Sequence, residues 1–400
     1  MSRTPAAPAA KTGSRIAQFD AMRGMSVFAV MIVHCWWVQP ESPISAAIRK
    51  MLPANFISVD MFFVISGYLI TGILMRSLGT GHFFRTFYIR RALRILPAYY
   101  FCLLVLFFVL PRIDDQVRDS KILDYWWMYV LHIQNWLFSV VNTDLGWPGT
   151  YHWWTLAVEE QFYFVWPMLV LATRTPRRMA MACLAIIAAS IACKIGVALA
   201  HGSWFLMHMS TPTRMDSLAT GALIATFPRE IAVRYARAAL LAAIGAFAII
   251  LLLVATQPSD HSAPHTAAIT ALAAIVFGGM TLRVHTGVAS SPLLRNRALI
   301  WMGEHSYGLY LIHLPLFFVM LTKLKPYMGA LSWMPANARA TLIFGLMMLI
   351  TLPAAWALKR YLEMPMLELR HRLAPDPVRP SREVALETNV PAAASAERAG

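Results

Sequence analysis

The chain has 400 residues, of which 58% are hydrophobic and only 14% are charged, and its mean hydropathy is +0.55. Soluble domains are about 45–50% apolar and about 25% charged, so this composition excludes a soluble globular enzyme, a disordered chain, a collagen and a coiled coil. The formal net charge of +15 does not require a nucleic acid, because excess lysine and arginine in a membrane protein gather in cytoplasmic loops. We therefore expect the lipid bilayer as a partner and no nucleic acid.

Residues 1–15 are polar and lack the apolar core and cleavage site of a signal peptide, which predicts a cytoplasmic tail before an uncleaved first span. Ten apolar stretches follow, and we predict a transmembrane helix at each of them. They lie at approximately 18–38, 56–75, 91–110, 155–173, 179–200, 215–228, 238–255, 266–282, 303–322 and 339–358. The predicted fold class is all-α, a polytopic integral membrane protein with about ten transmembrane helices in one domain, residues 16–364.

A further aromatic segment, residues 125–140, is shorter and contains His132, Gln134 and Asn135, which predicts a re-entrant or interfacial piece that does not cross the membrane. With that topology, most loop arginines and lysines fall on one side, which the positive-inside rule makes cytoplasmic. Both termini are then cytoplasmic, and we expect the protein in the cell's inner (plasma) membrane. Residues 365–400 are rich in Pro, Ala, Arg and Glu and are predicted to be a disordered cytoplasmic tail.

The first span carries two ionisable side chains, which are functional candidates because burying such groups in lipid is costly. Arg23 and His34 are eleven residues apart, which corresponds to about 16 Å of rise and about three turns, so both face the same side of a helix. Asp20, three residues before Arg23, is placed to pair with the guanidinium. A single membrane histidine is equally compatible with helix packing, but an arginine and a histidine on one face favour chemistry.

The next two spans add one acid and a pair of arginines. Asp60 lies near the outer end of the second span, and Ser66 and Gly67 lie at its centre. Small residues permit close helix packing, which is the simpler explanation of Gly67, whereas Asp60 stays a functional candidate. Arg91 and Arg94 are three residues apart in the third predicted helix and therefore face the same direction. Two guanidinium groups suit phosphate binding, although positive charge at a helix end also serves as a membrane anchor.

Glu159 and Glu160 open the fourth span, and at least one of these carboxylates is expected to face a polar cavity instead of lipid. Near the end of the chain, Tyr310 and His313 are one helical turn apart. The four cysteines show no CxxC spacing, so neither a zinc site nor a disulfide framework is indicated, and we predict no metal ligands.

The order and spacing of these residues resemble the membrane-bound acyltransferase-3 family from Asp20 to Pro365. The motifs that carry the resemblance are Arg-x10-His at Arg23 and His34; FFxxSGxL at Phe62, Phe63, Ser66, Gly67 and Leu69; RxxR at Arg91 and Arg94; WSLxxEEQFY at Trp154, Leu156, Glu159, Glu160, Gln161, Phe162 and Tyr163, with Thr155 in place of the usual Ser; and SYxxYLxH at Ser306, Tyr307, Tyr310, Leu311 and His313. The resemblance implies a membrane enzyme that transfers acyl groups, most often acetyl, to hydroxyls of cell-surface glycans. Some relatives carry an added SGNH domain, and this sequence resembles the stand-alone form.

The resemblance further implies an acyl-CoA, most often acetyl-CoA, as the donor co-substrate, with no permanently bound cofactor. The nucleotide end of an acyl-CoA is strongly anionic, so we expect Arg23, Arg91 and Arg94 to hold its phosphates at the cytoplasmic face. The acceptor is expected to be a cell-surface glycan or a lipid-linked oligosaccharide.

His34 is the residue that we expect to carry the chemistry. An imidazole acts as a general base or as a transient acyl carrier near neutral pH, and the sequence leaves both roles open. An acid, either Glu159, Glu160 or Asp60, is expected to orient the ring. His313 is a second candidate for the catalytic histidine.

Three other classes of function stay compatible with the sequence. They are a multi-span transporter or flippase of a lipid-linked or small substrate, a glycan polymerase or ligase, and a noncatalytic scaffold. The scaffold is the least favoured, because it has no need for this set of ionisable residues. The sequence does not identify the acceptor, the acyl group (acetyl, succinyl or longer) or the oligomeric state.

Overall fold

The computed structural model describes residues 17–37, 57–141, 145–256, 262–287 and 291–374. Within these ranges every regular element is a helix and no strand occurs. The predicted all-α class is therefore confirmed. The predicted N-terminal tail, residues 1–15, and residues 375–400 of the predicted C-terminal tail lie outside the described residues.

Ten helices of 15 residues or more occur in the described ranges, each at the position of a predicted span. They are α1 (Ala17–Trp37), α2 (Ser58–Arg76), α3 (Phe83–Leu104), α4 (Trp154–Thr173), α5 (Pro176–Leu199), α6 (Thr211–Ala225), α7 (Arg229–Thr256), α8 (Ala263–Thr286), α9 (Ser306–Leu324) and α10 (Ala336–Leu358). Shorter helices include Trp126–Val130, Trp204–Met209, Arg297–Glu304 and Met364–Leu373.

Seven of the ten helices, sometimes together with the turns that continue them, are long and apolar enough to cross a bilayer. These stretches are Ser58–Arg76, Phe83–Ile113, Pro176–Leu199, Arg229–Thr256, Ala263–Thr286, Ser306–Leu331 and Ala336–Arg370. The protein is thus a multi-pass membrane protein. Helix α6 has only 15 residues, and α1 and α4 are not among these seven. The count of about ten spans therefore stays a prediction.

Helices α2 and α6 pack with their backbones in direct contact. A Cβ atom at Gly67 would lie 1.9 Å from the carbonyl oxygen of Leu218, and one at Gly221 would lie 1.8 Å from that of Val64. Only glycine permits such an approach, as small residues generally do between membrane helices. The packing role predicted for Gly67 agrees with this contact, which holds α2 in one register against α6.

The aromatic segment 125–140 contains no helix of spanning length. It consists of the short helix Trp126–Val130, a turn, the helical turn Gln134–Trp136 and a π-helical turn. The side-chain amide of Gln134 donates to the carbonyl oxygen of Trp153 at 2.9 Å, and that of Gln161 donates to the carbonyl oxygen of His132 at 2.9 Å. These bonds fold the segment back against α4, and its depth in the membrane stays a prediction.

The predicted tail boundary at residue 365 needs a correction. Helix α10 continues through a π-helical turn, Lys359–Glu363, into the helix Met364–Leu373. This helix packs against α3, and the Arg90 Nε atom donates to the carbonyl oxygen of Ala374 at 2.7 Å. The sequence Met-Pro-Met-Leu-Glu-Leu contains good helix formers with apolar side chains, so residues 365–373 are helical and not disordered.

Candidate functional site

A cavity opens between helices α1, α2, α3, α4 and α9, and we call it the arginine cavity. Its walls include Arg23, Ser66, Arg91, Arg94, Thr155, Glu159, Glu160, Tyr163, Ser306, Tyr307 and Tyr310. Five of the eight residues selected from the sequence therefore meet here, the three arginines and the two glutamates. They come from three helices that are far apart in the chain.

Glycine contacts fix the orientation of α1 and with it the position of Arg23. A Cβ atom at Gly24 would lie 1.9 Å from the carbonyl oxygen of Leu299, and one at Gly303 would lie 1.7 Å from that of Asp20. Helix α1 therefore lies directly on the short helix Arg297–Glu304. Arg23, the neighbour of Gly24, lines the cavity wall.

The polar groups of the cavity also bond to one another. The hydroxyl of Ser66 donates to Glu159 Oε1 at 2.7 Å, and the hydroxyl of Tyr163 donates to Glu159 Oε2 at 3.1 Å. The Arg91 guanidinium lies over the Tyr163 ring, 4.4 Å from its centroid. Glu159 is thus fully engaged in the cavity wall, and three guanidinium groups face two carboxylates, which leaves an excess of positive charge.

Three histidines from distant parts of the chain meet beside this cavity, and we call them the histidine cluster (His34, His152 and His313). His34 Nδ1 lies 2.9 Å from His313 Nε2. The ring centroid of His152 lies 4.6 Å from that of His313 and 5.8 Å from that of His34. The structure thus unites the two histidines that the sequence offered as separate candidates.

Backbone carbonyl groups determine which ring nitrogens carry protons. His313 Nδ1 lies 3.0 Å from the carbonyl oxygen of Leu309 and 2.8 Å from that of Tyr310. A carbonyl oxygen only accepts, so His313 Nδ1 is the protonated nitrogen and Nε2 of the neutral ring is an acceptor. His34 Nδ1 must then donate to it, and the lone pair of His34 resides on Nε2. This tautomer is the one that a general base requires.

His152 is a member of the cluster to which the sequence assigned no role. Its Nε2 atom donates to the carbonyl oxygen of Tyr310 at 2.7 Å, so its Nδ1 atom carries the lone pair. That Nδ1 atom is buried and has no hydrogen-bond partner within the described residues. The contact joins residues 158 positions apart. No local spacing in the sequence predicts it.

Tyr310 stands between the arginine cavity and the histidine cluster. It lines the cavity, while its ring contacts those of His152 and His313, with centroids 5.0 Å and 5.7 Å away. Its hydroxyl donates to the carbonyl oxygen of His152 at 2.9 Å and accepts from Thr155 Oγ1 at 2.8 Å. His34 and His313 are not among the residues that line the cavity. Tyr310 is therefore a residue of the cavity wall that also contacts the histidine cluster.

Comparison with known proteins identifies the family of this chain. The acyltransferase-3 family model, described as an acyltransferase domain, matches residues 16–360. The chain belongs to the acyltransferase-3 family. Similar proteins include an O-acetyltransferase OatA of Staphylococcus aureus (strain NCTC 8325 / PS 47), 24% identical over 321 residues, which are 74% of this chain and 50% of the relative.

A second relative of this acyltransferase-3 protein is the peptidoglycan O-acetyltransferase OatA of Listeria monocytogenes serovar 1/2a, 27% identical over 334 residues, which are 75% of this chain and 49% of the relative. A putative O-acetyltransferase of Staphylococcus aureus (strain COL) is 24% identical over 317 residues, with 74% and 49% covered. The chain thus matches about half the length of these relatives. No solved structure matches it.

Asp60, which the sequence offered as a partner for His34, is engaged elsewhere in this acyltransferase-3 protein. Its Oδ2 atom lies 2.7 Å from Arg214 Nη2, and its Oδ1 atom accepts from Ser217 Oγ at 2.5 Å. Lys194 and Asp216 form a second ion pair among the residues packed around it. We call Asp60, Arg214, Lys194 and Asp216 the ion quartet.

The ring of His34 is therefore held by His313 and not by an acid. Among the described contacts of the two candidate glutamates and of Asp60, none reaches a histidine of the cluster. Within the described residues no group of three or more His, Cys, Asp and Glu side chains is arranged to hold a metal ion. The chemistry that this site offers is that of an imidazole base beside a cationic cavity.

Proposed function

We propose that this acyltransferase-3 protein is an O-acetyltransferase of a glycan, with an acyl-CoA as the donor. The observation that carries the proposal is the hydrogen bond between His34 and His313 next to a cavity lined by three arginines. Support for an O-acetyl product comes from the names of the relatives, two of which are O-acetyltransferases called OatA. The Listeria relative is named for peptidoglycan, so a cell-surface or lipid-linked glycan is the acceptor class that we propose here.

The proposed reaction assigns a role to each nitrogen of the two bonded rings. His34 Nε2 removes the proton of the acceptor hydroxyl as its oxygen attacks the thioester carbonyl carbon. A C–O bond forms, the C–S bond breaks, and the proton passes from His34 to the departing CoA thiolate. His313 holds the His34 ring in the required tautomer and stabilises the imidazolium, as the partner of a catalytic histidine does in other enzymes.

The arginine cavity is the proposed site for the donor. Arg23, Arg91 and Arg94 supply three permanently charged guanidinium groups, which suit the phosphates of CoA. We further propose that this end of the cavity faces the cytoplasm, where acyl-CoA is present, and that both termini lie there too. Tyr310 then separates the donor from the base until the acceptor hydroxyl and the acyl group meet.

The test uses the full chain in nanodiscs, with radiolabelled acetyl-CoA and with glycan extracted from the cells that produce this protein. The measured quantity is the transfer of radiolabelled acetyl groups to the glycan. Replacing His34 by Ala removes the base, so we expect transfer to fall by about 10²–10⁴-fold, the usual contribution of a positioned acid–base group. His265→Ala, a change at the start of α8, is the matched control and is expected to leave transfer unchanged.

Two results contradict the proposal. Full transfer by the His34→Ala variant removes the proposed base. Movement of the glycan across a proteoliposome membrane without CoA release indicates the transporter alternative. Trapping of an acetylated histidine after rapid acid quench assigns His34 the acyl-carrier role instead of the base role.

A further inference from the structure

A second cavity of about 860 Å³ lies on a neighbouring face of α4, and we call it the lateral groove. Its apolar walls come from the segment 131–136, from α4 and from α5, with Trp136, Phe162, Trp166, Leu169 and Ile186 among them. Most of the side chains that line it are apolar. Acetyl-CoA and a water-soluble sugar bring no long apolar part to such a surface, so the proposed donor does not account for it.

The edge of the lateral groove is exposed at the surface of the protein. Leu131, Phe164 and Val165 at this edge are 62%, 65% and 55% exposed, whereas Phe162 and Trp166 on its floor are 2% and 1% exposed. An apolar furrow with an exposed apolar edge on a membrane protein is accessible to a hydrocarbon chain directly from the bilayer. The lateral groove therefore offers a side entrance and not a route from water.

The polar end of the groove meets the arginine cavity. Glu160 lines both cavities, so a molecule whose chain occupies the groove has its head beside the cationic site. At the same end lies His132, which is only 8% exposed and whose Nε2 atom has no hydrogen-bond partner within the described residues. A buried unpaired nitrogen costs free energy unless a ligand bonds to it.

The end of the helix Trp126–Val130 explains the backbone at His132. Its φ angle is +54°, and the amides of His132 and Ile133 donate to the carbonyl oxygens of Tyr129 and Met128, as is usual for a left-handed residue after a helix. The Gln161 amide donates to the carbonyl oxygen of His132, and the His132 ring stacks on that of Tyr99, with centroids 4.3 Å apart. These contacts hold the His132 ring in the wall of the groove.

We propose that the lateral groove binds the hydrocarbon chain of a polyprenyl-phosphate-linked glycan and thereby presents its sugar to the arginine cavity. The inference rests on the proposed function and names the class of its acceptor. One groove accommodates one chain, which fits a single-chain carrier and not a phospholipid with two acyl chains. His132 Nε2 accepts a hydrogen bond from a hydroxyl of the first sugar, and Glu160 lies where the sugar passes from groove to cavity.

The experiment is photo-crosslinking of the full chain in phosphatidylcholine nanodiscs. The probe is a polyprenyl monophosphate with a diazirine in its chain, compared with a diazirine phosphatidylcholine and a diazirine palmitoyl-CoA. We expect the polyprenyl probe to label peptides that contain residues 131–136 and 162–169, and unlabelled polyprenyl phosphate to compete it away.

Two tryptophan variants of α5 separate binding in the groove from general lipid contact. Ile186→Trp fills the groove, and we expect labelling to fall at least about tenfold, a change of one decade in affinity. Leu184→Trp is the matched control, because Leu184 is 55% exposed on the same helix and does not line the groove. We expect the probe to label the Leu184→Trp variant as strongly as the wild type.

The remaining outcomes overturn the proposal. Equal labelling by the phosphatidylcholine probe means that ordinary bilayer lipid fills the groove, and preferential labelling by palmitoyl-CoA means that the groove holds a donor chain. Absence of specific labelling in the wild type also overturns it. Acetyl transfer to extracted glycan is measured in parallel: transfer that persists in Ile186→Trp refutes the groove alone, whereas groove labelling without any transfer refutes the proposed function alone.

Discussion

Two groups of charged side chains lie in the helical core, and they differ in almost every physical respect. The ion quartet is closed: Asp60 and Arg214 are 0% exposed, Lys194 and Asp216 are 2% exposed, and its two cations balance its two carboxylates. The arginine cavity is open, and its guanidinium groups outnumber its carboxylates. The charges of the first group sum to zero, although the Arg214 Nε and Nη1 atoms have no hydrogen-bond partner within the described residues. The second group carries an excess of positive charge, which suits an anionic ligand.

The difference shows that the free-energy cost of burying a charged side chain does not by itself identify that side chain as functional in a membrane protein. Helix α2 contributes to both groups, with Asp60 in the ion quartet and Ser66 in the arginine cavity. The Arg214 guanidinium lies 5.6 Å from the ring centroid of Phe63, and Phe63 in turn lines the cavity. The Phe63 ring therefore lies between the ion quartet and the arginine cavity.

The largest effect that this comparison predicts is a loss of stability in the ion quartet. Replacing Arg214 by Leu leaves Asp60 buried without its cation, which costs about 3–5 kcal/mol. We expect a clear fall in the thermal midpoint and in the yield of folded protein, measured by fluorescence-detected size exclusion in detergent.

The double variant Asp60→Asn with Arg214→Leu is the control for this prediction. It removes both charges of the pair, and such replacements are often close to neutral for stability. We therefore expect it to recover most of the thermal midpoint. A single Arg214→Leu variant that is as stable as the wild type but has lost acetyl-CoA binding shows instead that the quartet belongs to the ligand site.

A smaller effect, on binding and not on stability, is predicted in the arginine cavity. Replacing Arg94 by Ala removes one charge-assisted contact to the donor, so we expect KM for acetyl-CoA to rise about 10–100-fold with a small change in kcat. Arg85→Ala on the same helix is the matched control, because Arg85 is exposed and does not line the cavity. An unchanged KM for Arg94→Ala shows that the donor phosphates bind elsewhere.

The sequence predicts single helices and their polar residues well, and it predicts contacts between distant helices poorly. At least one of Glu159 and Glu160 was predicted to face a polar cavity because lipid excludes carboxylates, and both line the arginine cavity. Lipid also excludes Asp60, but this residue forms an ion pair with Arg214 in α6 and does not line the cavity. The pairing of His34 with His313 joins residues 279 positions apart. It depends on how α1 lies against α9, which no local pattern specifies.

The number of spans shows a similar limit of local patterns. Helices α1 and α4 carry the polar residues of the site, and these residues lower the mean hydropathy by which a span is recognised. At the end of the chain, composition predicted disorder from residue 365, but contact with α3 keeps the helix Met364–Leu373 folded. Tertiary packing decides both the number of spans and the folding of this terminal helix. Local patterns in a single sequence do not predict such packing.

The smallest predicted effect concerns the boundary between the arginine cavity and the histidine cluster. Replacing Tyr310 by Phe keeps the ring but removes the hydroxyl that bonds to the His152 carbonyl oxygen and to Thr155. One neutral hydrogen bond is worth about 0.5–1.5 kcal/mol, so we expect kcat to fall about 2–10-fold as the cluster loosens, with KM for acetyl-CoA unchanged.

Tyr307→Phe is the matched control for the Tyr310 prediction. Tyr307 lines the same cavity, but its hydroxyl donates to the carbonyl oxygen of Ile95 in α3 and does not contact the histidine cluster. A lower kcat for Tyr310→Phe but not for Tyr307→Phe indicates that Tyr310 positions the histidines. A rise in KM for Tyr310→Phe with kcat intact means instead that this side chain belongs to the donor site, and that the two regions form one site and not two.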